Sequence, residues 1–236
     1  MMSTPQISII TVCFNAGKEI EPTILSVLKL LDSRMEYIII DGGSVDETVN
    51  IIQKYDDKIT WKSESDLGIY DAMNKGLQIA KGIWAIFINC GDLLYQIPDV
   101  LFDQNSLRYY CVFASVEVEG GKIIYPKFNN TIYLHNTIPH QGLFYNIKQL
   151  RVQFCLNYKI FADYNLNFEL YKRKIPYMIL DDVVAFHSLT GISNNRDALK
   201  ELEDVVRNNG GFLASIMSKL YFLYHGIVHK LTHWIC

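Results

Sequence analysis

A run of six apolar residues at 83–88 is the feature that most restricts how this chain can fold. Such a run suits a central strand that is buried on both faces of a parallel sheet. The run ends at Asn89-Cys90-Gly91-Asp92, where Gly91 permits a tight turn and Asp92 follows at the strand end. Ligands of open α/β sheets bind at that edge, so Asp92 is either a ligand of a polar group or only a turn residue.

The region before this run alternates between strand-like and helix-like segments. The predicted strands are residues 7–13, 37–40 and 59–62, and apolar spacing predicts helices at 19–31 and 68–80. Ser44 and Glu47 have the spacing of a capping box, which predicts a further helix from Ser44 to about Tyr55. This alternation specifies an α/β fold, with a mostly parallel sheet and helices on both faces.

The pattern changes after residue 95. The predicted elements are a hairpin at 109–125, a long loop at 128–139, strands at 140–145, 177–180 and 183–187, and helices at 163–174 and 194–207. We therefore divide the chain into an α/β domain at 1–207 and a helical tail at 208–236.

Charge and cysteine usage exclude several classes of protein. The 236-residue chain has a net charge of −3, so it has no overall basic field and we expect no nucleic-acid partner. Its five scattered cysteines include no C-x-x-C pair, which argues against a disulfide framework and indicates a reducing cytosol. No secretory signal and no apolar run long enough to span a bilayer is visible, so we expect a cytoplasmic protein.

Four acidic residues fall at the ends of predicted elements: Asp41, Asp66, Asp92 and Asp163. Asp41 and Asp92 each follow a predicted parallel strand, so both should lie at the carboxyl edge of the sheet. Several carboxylates at one sheet edge indicate a polar ligand or a metal ion.

Seven short segments together resemble one protein family. They are ISIITVCFN at 7–15, IDGGSVDET at 40–48, SDLGIYDAMNKG at 65–76, FINCGD at 87–92, HQGLFY at 140–145, ADY at 162–164 and TGIS at 190–193. In this order and spacing they resemble the glycosyltransferases of family 2, and more narrowly the subgroup that builds bacterial cell-surface polysaccharides. The resemblance implies the GT-A fold, a nucleotide-binding α/β architecture.

The resemblance also implies where the donor nucleotide binds. It assigns Thr11, Phe14, Asn15, Asp41 and Asp66 to the nucleoside. A carboxylate suits that role because it accepts hydrogen bonds from a base N–H or a ribose hydroxyl. Two alternatives remain open: Asp41 as a turn residue, and Asp66 as the cap of the following helix.

The resemblance assigns the reacting centre to a second set of residues. Asp92 retains the last acid of the family's D-x-D metal motif, whose first acid is replaced here by Cys90, and implies Mg²⁺ or Mn²⁺. Asp163 occupies the position of the general base, with a helix cap as the alternative. His140 and Gln141 match a segment that lines the acceptor or sugar site.

One further histidine, His187, has no such match, and we expect it to be a packed residue outside the metal site.

These observations together predict a metal-assisted, inverting glycosyltransferase. It would transfer a sugar from a nucleoside diphosphate sugar, in the first place a UDP-sugar, to a hydroxyl of a glycan or a polyprenyl-linked acceptor. A sugar nucleotidyltransferase is the first alternative, but it usually needs a loop rich in glycine and basic residues after the first strand, and 13–18 has few of either. A non-catalytic nucleotide-sugar-binding subunit is the second, motivated by the missing first acid.

The tail is amphipathic when drawn as a helix. One side carries Leu213, Ile216, Leu220, Leu223, Ile227, Leu231 and Trp234, and the other carries Ser215, Lys219, His225, Gly226, His229, Lys230 and His233. This pattern predicts a helix that lies in a membrane interface, and hence a peripheral protein on the inner face of the cell membrane. The alternative is a helix packed on the protein's own core or in a dimer.

Overall fold

The computed structural model describes residues 4–188 and 196–232, and their strands form one mixed sheet. The strands are β1 (Ile7–Cys13), β2 (Met35–Asp41), β3 (Thr60–Ser63), β4 (Trp84–Phe87), β5 (Leu93–Leu94), β6 (Cys111–Val118), β7 (Lys122–Ile124), β8 (Leu143–Asn146) and β9 (Tyr177–His187). Their order is β3-β2-β1-β4-β8-β6-β9-β5, with β7 beside β6.

The first four strands form the predicted parallel part of the sheet. β1 lies between β2 and β4, and β3 pairs with the far side of β2. Beyond β4 the sheet becomes mixed, because β8 runs antiparallel to both β4 and β6 while β9 runs parallel to β6. The carboxyl ends of β1, β2, β4 and β9 therefore lie at one edge, where Asp41, Asp92 and His187 are found.

Helices cover both faces of the sheet, as predicted. They are α1 (Ile20–Leu28), α2 (Thr48–Gln53), α3 (Ile69–Ile79), α4 (Ala162–Lys172) and α5 (Arg196–Thr232). Alternate residues of β1 serve the two faces: Ile7 and Ile9 pack in the core on the side of α1 and α2, whereas Ile10 and Val12 pack in the core with α3, α4 and α5.

The predicted capping box at Ser44 is wrong. α2 begins at Thr48, and the side chain of Glu47 makes no capping hydrogen bond. The Ser44 hydroxyl instead donates to the carboxylate of Asp41, while Asp46 accepts the N–H of Thr48. The Ser44 oxygen accepts the N–H of Asn15 (2.7 Å) and not a helix N–H, and the helix starts later.

Two strand predictions need correction in the second half of the chain. Residues 177–180 and 183–187 form one continuous strand, β9, which runs past Asp181 and Asp182 with an irregular register against β6. His140–Gly142 form a 3-10 turn, so the strand predicted at 140–145 begins only at Leu143.

Helix α5 runs into the predicted tail and breaks at Gly211, whose φ of 81° is outside the helical range. After the break the small side chains of Ala214, Ser215 and Ser218 are buried against the protein. Large apolar side chains point outward, namely Phe212, Leu213, Ile216, Met217, Leu220, Leu223 and Tyr224. Ser215 thus faces the protein, and Leu213, Ile216, Leu220 and Leu223 of the predicted apolar side do not pack on the protein's own core.

Within 4–188 and 196–232, no helix is both long and apolar enough to cross a bilayer. The TGIS segment at 190–193 and the tail residues 233–236 lie outside the described residues. The placement of His233 and Trp234 on opposite sides of the helix therefore stays a prediction.

Candidate active site

The loop after β2 is built around the carboxylate of Asp41. Its Oδ2 accepts the N–H groups of Gly43 (3.1 Å) and Ser44 (2.9 Å) and the hydroxyl of Ser63 (2.6 Å), and its Oδ1 accepts the Ser44 hydroxyl. Asp41 is fully buried, so it acts as the turn residue that the sequence left open. It would contact a nucleoside only where a donor of the ligand replaces one of these donors.

The loop after β1 is hydrogen-bonded to the loop after β2. Asn15 has a left-handed backbone with φ of 49°, its N–H donates to the Ser44 hydroxyl (2.7 Å), and its side-chain oxygen accepts the N–H of Val45 (3.0 Å). Asparagine tolerates this backbone better than most residues. The preceding Phe14 is left 62% exposed, which makes its ring available to stack on a flat group.

Thr11 does not reach the surface of this edge. It is fully buried, and its hydroxyl donates to the carbonyl of Ile88 (2.6 Å) and lies 2.9 Å from the hydroxyl of Tyr37. The direct nucleotide contact expected of Thr11 is therefore wrong for this structure: the side chain joins β1 to the end of β4 beneath the site.

Phe14 and Asp66 both lie close to Gly42. A Cβ atom placed on Gly42 would lie 2.5 Å from Oδ2 of Asp66 and 3.4 Å from the Phe14 ring, so a larger residue there would displace the Asp66 carboxylate. Asp66 also accepts the N–H of Gly68 (2.8 Å), the residue before α3, but it makes no capping hydrogen bond to the helix itself, so the capping role left open for it is not observed. An exposed aromatic ring and a carboxylate near one another suit a nucleoside.

Asp92 is buried, and three groups converge on its carboxylate. Gln141 Nε2 donates to Oδ2 (2.8 Å), the backbone N–H of Ser188 donates to Oδ1 (3.0 Å), and Nδ1 of His187 lies 2.9 Å from Oδ1. Our expectation that His187 is a packed residue is wrong, because its ring is partly exposed and contacts the candidate metal ligand.

Nδ1 of His187 lies between a hydrogen-bond donor and an acceptor. Nδ1 lies 2.6 Å from Gln141 Nε2, an amide nitrogen that can only donate, and also 2.9 Å from the carboxylate of Asp92, which can only accept. A single ring nitrogen cannot accept from one and donate to the other. Nδ1 therefore either donates to Asp92 or accepts from Gln141, and in both cases the imidazole lies beside the carboxylate.

A divalent ion fits these donors only in part. Within the described residues no group of three His, Cys, Asp or Glu side chains is arranged to hold a metal ion. Asp92 and His187 supply one carboxylate and one imidazole. That is sufficient for an ion that takes its remaining ligands from a diphosphate and water, as Mg²⁺ commonly does.

Asp163 lies at the start of α4, also buried, and is held from several sides. Tyr70 Oη lies 2.8 Å from Oδ1 and 2.6 Å from the carbonyl of Ile160, between which its single proton is shared. Burial and the adjacent Asp163 raise the pKa of Tyr70 well above its usual range, so the phenol remains protonated. Asn136 Nδ2 lies 3.4 Å from Oδ2, and His140 Nδ1 lies 3.7 Å from the same oxygen.

The tautomer of His140 follows from its other neighbour. The amide nitrogen of Asn89 lies 2.9 Å from Nε2 of His140, and an amide nitrogen only donates. Nε2 is therefore the acceptor, and in the neutral ring Nδ1 carries the proton and directs it toward Asp163. His140 Nδ1 thus lies on the side of Asp163, and the 3.7 Å separation is longer than a hydrogen bond.

The structure brings Asp92 and Asp163 to adjoining sites through consecutive residues. His140 contacts Asp163 and Gln141 contacts Asp92, both from the same 3-10 turn. Asn74 and Lys75 stay outside: Asn74 pairs with the backbone of Phe154, and Lys75 forms ion pairs with protein carboxylates.

Sequence reasoning missed the parts played by Tyr70, Asn89, Asn136 and His187. Asn89 and Tyr70 lie inside the quoted family segments, so a signal was available for them. Asn136 lies in a predicted loop with no pattern of its own. His187 was visible only as a histidine at a strand end, which alone does not distinguish a ligand from a packed residue.

Known proteins resemble this chain along most of its length. The model of Glycosyl transferase family 2 matches residues 8–165. A PGL/p-HBAD biosynthesis glycosyltransferase of Mycobacterium bovis is 24% identical over 222 residues, which cover 85% of this chain and 85% of the relative. An uncharacterized glycosyltransferase of Rickettsia prowazekii is 25% identical, over 96% of this chain and 77% of the relative.

Solved structures share the fold at low identity. S. aureus TarS 1–349 in complex with UDP-GlcNAc superposes with a TM-score of 0.66 at 18% identity, covering 85% of this chain and 65% of that one. The mannosyltransferase PcManGT of Pyrobaculum calidifontis, in complex with GDP-Man and Mn²⁺, has a TM-score of 0.61 at 14% identity, covering 86% and 62%. This chain spans 39% of the longer TarS structure.

Proposed function

The chain belongs to glycosyl transferase family 2, and on that premise we propose that this glycosyltransferase moves a sugar from a UDP-sugar to a hydroxyl of a glycan or lipid-linked acceptor, with inversion and with help from a divalent ion. The observation that carries the proposal is the pair of buried carboxylates, Asp92 and Asp163, joined by His140 and Gln141. One suits the donor diphosphate, and the other suits proton removal from an acceptor.

The donor nucleoside would bind over the loops after β1 and β2. Support comes from the exposed Phe14 ring and the carboxylate of Asp66, which both lie close to Gly42. Asn15 and Asp41 would hold these loops in shape through the contacts with Ser44. The base is proposed as uracil because TarS structures are complexes with UDP and UDP-GlcNAc, although the GDP-Man complex of PcManGT shows that the fold also accepts guanine.

Mg²⁺ or Mn²⁺ would be held by Asp92 with His187. A bound divalent ion supplies positive charge that stabilises the departing diphosphate. GT-A enzymes commonly use such an ion, and PcManGT was solved with Mn²⁺. The His187 imidazole would compensate for the acid that Cys90 replaces.

The proposed chemistry is a direct displacement. The acceptor oxygen bonds to the anomeric carbon while the bond from that carbon to the diphosphate oxygen breaks, and the nucleoside diphosphate leaves with the electron pair. Attack from the face opposite the leaving group inverts the configuration. Asp163 takes the proton of the acceptor hydroxyl, and the Asn89–His140 pair and Tyr70 hold its carboxylate in place.

A donor-hydrolysis screen tests the proposal. Full-length protein is incubated with UDP-, GDP- and dTDP-sugars, with Mn²⁺ or with a chelator, and the nucleotide products are separated. We expect UDP and free sugar from at least one UDP-sugar, faster with Mn²⁺. Nucleoside monophosphate and sugar phosphate would instead indicate breakage within the diphosphate. Nucleotide binding without turnover, even with added acceptor glycans, would favour a non-catalytic subunit.

We further propose that the outward apolar side of α5 docks on the inner face of the cell membrane. The side chains involved are those exposed after Gly211, among them Leu213, Leu220 and Leu223. Burial of an apolar side chain provides most of the attraction in such a helix, since the exposed Lys219 also pairs with Glu203 and adds little charge. A lipid-linked acceptor would present its reacting hydroxyl close to that surface.

Flotation with phosphatidylglycerol-containing liposomes tests membrane docking. The wild-type protein should float at pH 7.5, because the exposed leucines of α5 can be buried among the lipid chains. Leu213→Ser, Leu220→Ser and Leu223→Ser combined should reduce the floated fraction at least about tenfold, since each leucine loses part of about 1.5–3 kcal/mol of burial.

A matched control replaces three exposed leucines elsewhere, Leu25, Leu156 and Leu199, by serine. These changes should leave flotation unchanged. Failure of the wild-type protein to float, together with a dimer that the tail substitutions dissociate, would make this side of α5 a subunit interface.

A further inference from the structure

The segment 134–138 lies between the outer part of α5 and the proposed base. On the α5 side, Ser218 donates its hydroxyl to the carbonyl of Leu134 (2.5 Å). The ring of His135 stacks on Tyr221 with centroids 4.8 Å apart and planes 10° from parallel, and Phe222 meets His135 edge-on at 6.5 Å. Two adjacent residues of the segment are thus bound to α5 beyond its break.

The next residue of the same segment contacts the base. Asn136 Nδ2 lies 3.4 Å from Oδ2 of Asp163, and its side-chain oxygen accepts the N–H of Ile138 (3.2 Å), which restricts the amide. His135 Nδ1 donates to the carbonyl of Asn136 (2.9 Å). Burial lowers the pKa of His135, so its ring is neutral where it stacks. The stacked ring and the amide that reaches Asp163 therefore belong to one hydrogen-bonded unit.

Residues 218–224 of α5 have one side that contacts the protein and an opposite side that is exposed. Ser218, Tyr221 and Phe222 face segment 134–138, whereas Leu220, Leu223 and Tyr224 are exposed. Gly211 breaks the helix just before this part, and few large side chains attach it to the protein, since those buried there are the small Ala214, Ser215 and Ser218. A surface that holds the exposed side would also limit movement of the inward side.

We propose that His135 and Asn136 are positioning residues that couple docking of α5 on a lipid surface to the orientation of the Asp163 carboxylate. This inference rests on the proposed function, and it adds that the enzyme turns over faster when docked. A base held within a fraction of an ångström of its productive position gains rate without a change in donor binding, because misplacement of about 1 Å can cost about 10²-fold.

The experiment combines a rate and a structural readout on the full chain. The rate of donor hydrolysis is measured with and without vesicles of phosphatidylethanolamine and phosphatidylglycerol. Amide hydrogen exchange of the peptide covering 134–138 is measured under the same two conditions. For the wild-type protein, vesicles should raise kcat about tenfold with KM for the donor unchanged. They should also slow exchange of the hydrogen-bonded Ile138 amide.

Variants at Tyr221 separate coupling from docking. Tyr221→Ala should float like the wild-type protein but lose both the rise in kcat and the slower exchange, whereas Tyr221→Phe, which keeps the stacked ring, should retain both. Asn136→Ala should lower kcat in the presence of vesicles and leave KM for the donor unchanged. Vesicles should still slow amide exchange at Leu134 and His135, the two residues that contact α5.

The possible failures are distinguishable. If no donor is hydrolysed, the proposed function fails, and the exchange measurement still decides the coupling. A wild-type protein that hydrolyses the donor but shows the same exchange with and without vesicles overturns the coupling and leaves the glycosyltransferase function standing. Stimulation of Tyr221→Ala equal to that of the wild-type protein also overturns it.

Discussion

Replacement of Asp163 by asparagine is expected to lower kcat for sugar transfer about 10²-fold or more, while the Kd for the nucleotide stays nearly unchanged. Asparagine fills the same space and can still accept the Tyr70 hydroxyl, which lies 2.8 Å from Oδ1. It cannot take a proton at Oδ2, the oxygen toward which Asn136 and His140 are directed. The loss should therefore fall on the chemical step.

The measurement is a single-turnover transfer assay combined with calorimetric titration of UDP. Asp182→Asn is the matched control, since it removes one exposed carboxylate from β9 and should leave the rate unchanged. Thermal denaturation shows whether either substitution disturbs the fold. A variant at Asp163 that retains half of the wild-type transfer rate would exclude this residue as the base.

Asp92→Asn is expected to reduce turnover about 10²-fold, the usual scale for the loss of one electrostatic contact to a developing charge. It should also weaken UDP binding when Mn²⁺ is present and leave binding unchanged with a chelator. The reason is that Asp92 is the retained carboxylate of the motif, and with His187 it forms the pair of donors that would hold the ion.

The substitution has a structural cost that must be separated from metal loss. Asp92 accepts from both Gln141 and Ser188, and an asparagine amide would turn a donor toward one of them, which costs about 1–3 kcal/mol when buried. His187→Ala keeps the carboxylate and its two donors, so a matching loss of metal-dependent UDP binding would identify the effect as metal loss. Equal UDP affinity of the wild-type protein with Mn²⁺ and with chelator would rule out the metal role.

Local patterns in the chain were sufficient for the fold class and for the edge where the site lies. The apolar run at 83–88 became the buried centre of the sheet, and the alternation before it became the parallel part with helices on both faces. These predictions succeed because burial of a strand or helix leaves its own period in the sequence. The seven family segments also predicted membership of glycosyl transferase family 2, and the match of the family model over 8–165 confirms this prediction.

Predictions that depended on side-chain partners were less secure. Ser44 had the spacing of a cap, but its oxygen accepts the N–H of Asn15 from the loop after β1, and its hydroxyl donates to the buried Asp41 carboxylate, a charged acceptor. The family resemblance assigned Thr11 to the nucleoside, yet its hydroxyl bonds within the sheet. Such competition depends on residues from other strands.

The acidic positions and the amphipathic tail were readable from residue order, whereas their partners and orientation depended on the folded chain. Asp92 meets His187 across 95 residues, and Asn136 meets Asp163 across 27, distances over which no sequence period extends. The tail pattern showed an apolar side but not its direction. That direction follows from packing, since small Ala214 and Ser218 allow the helix to approach the core and the large side chains must face outward.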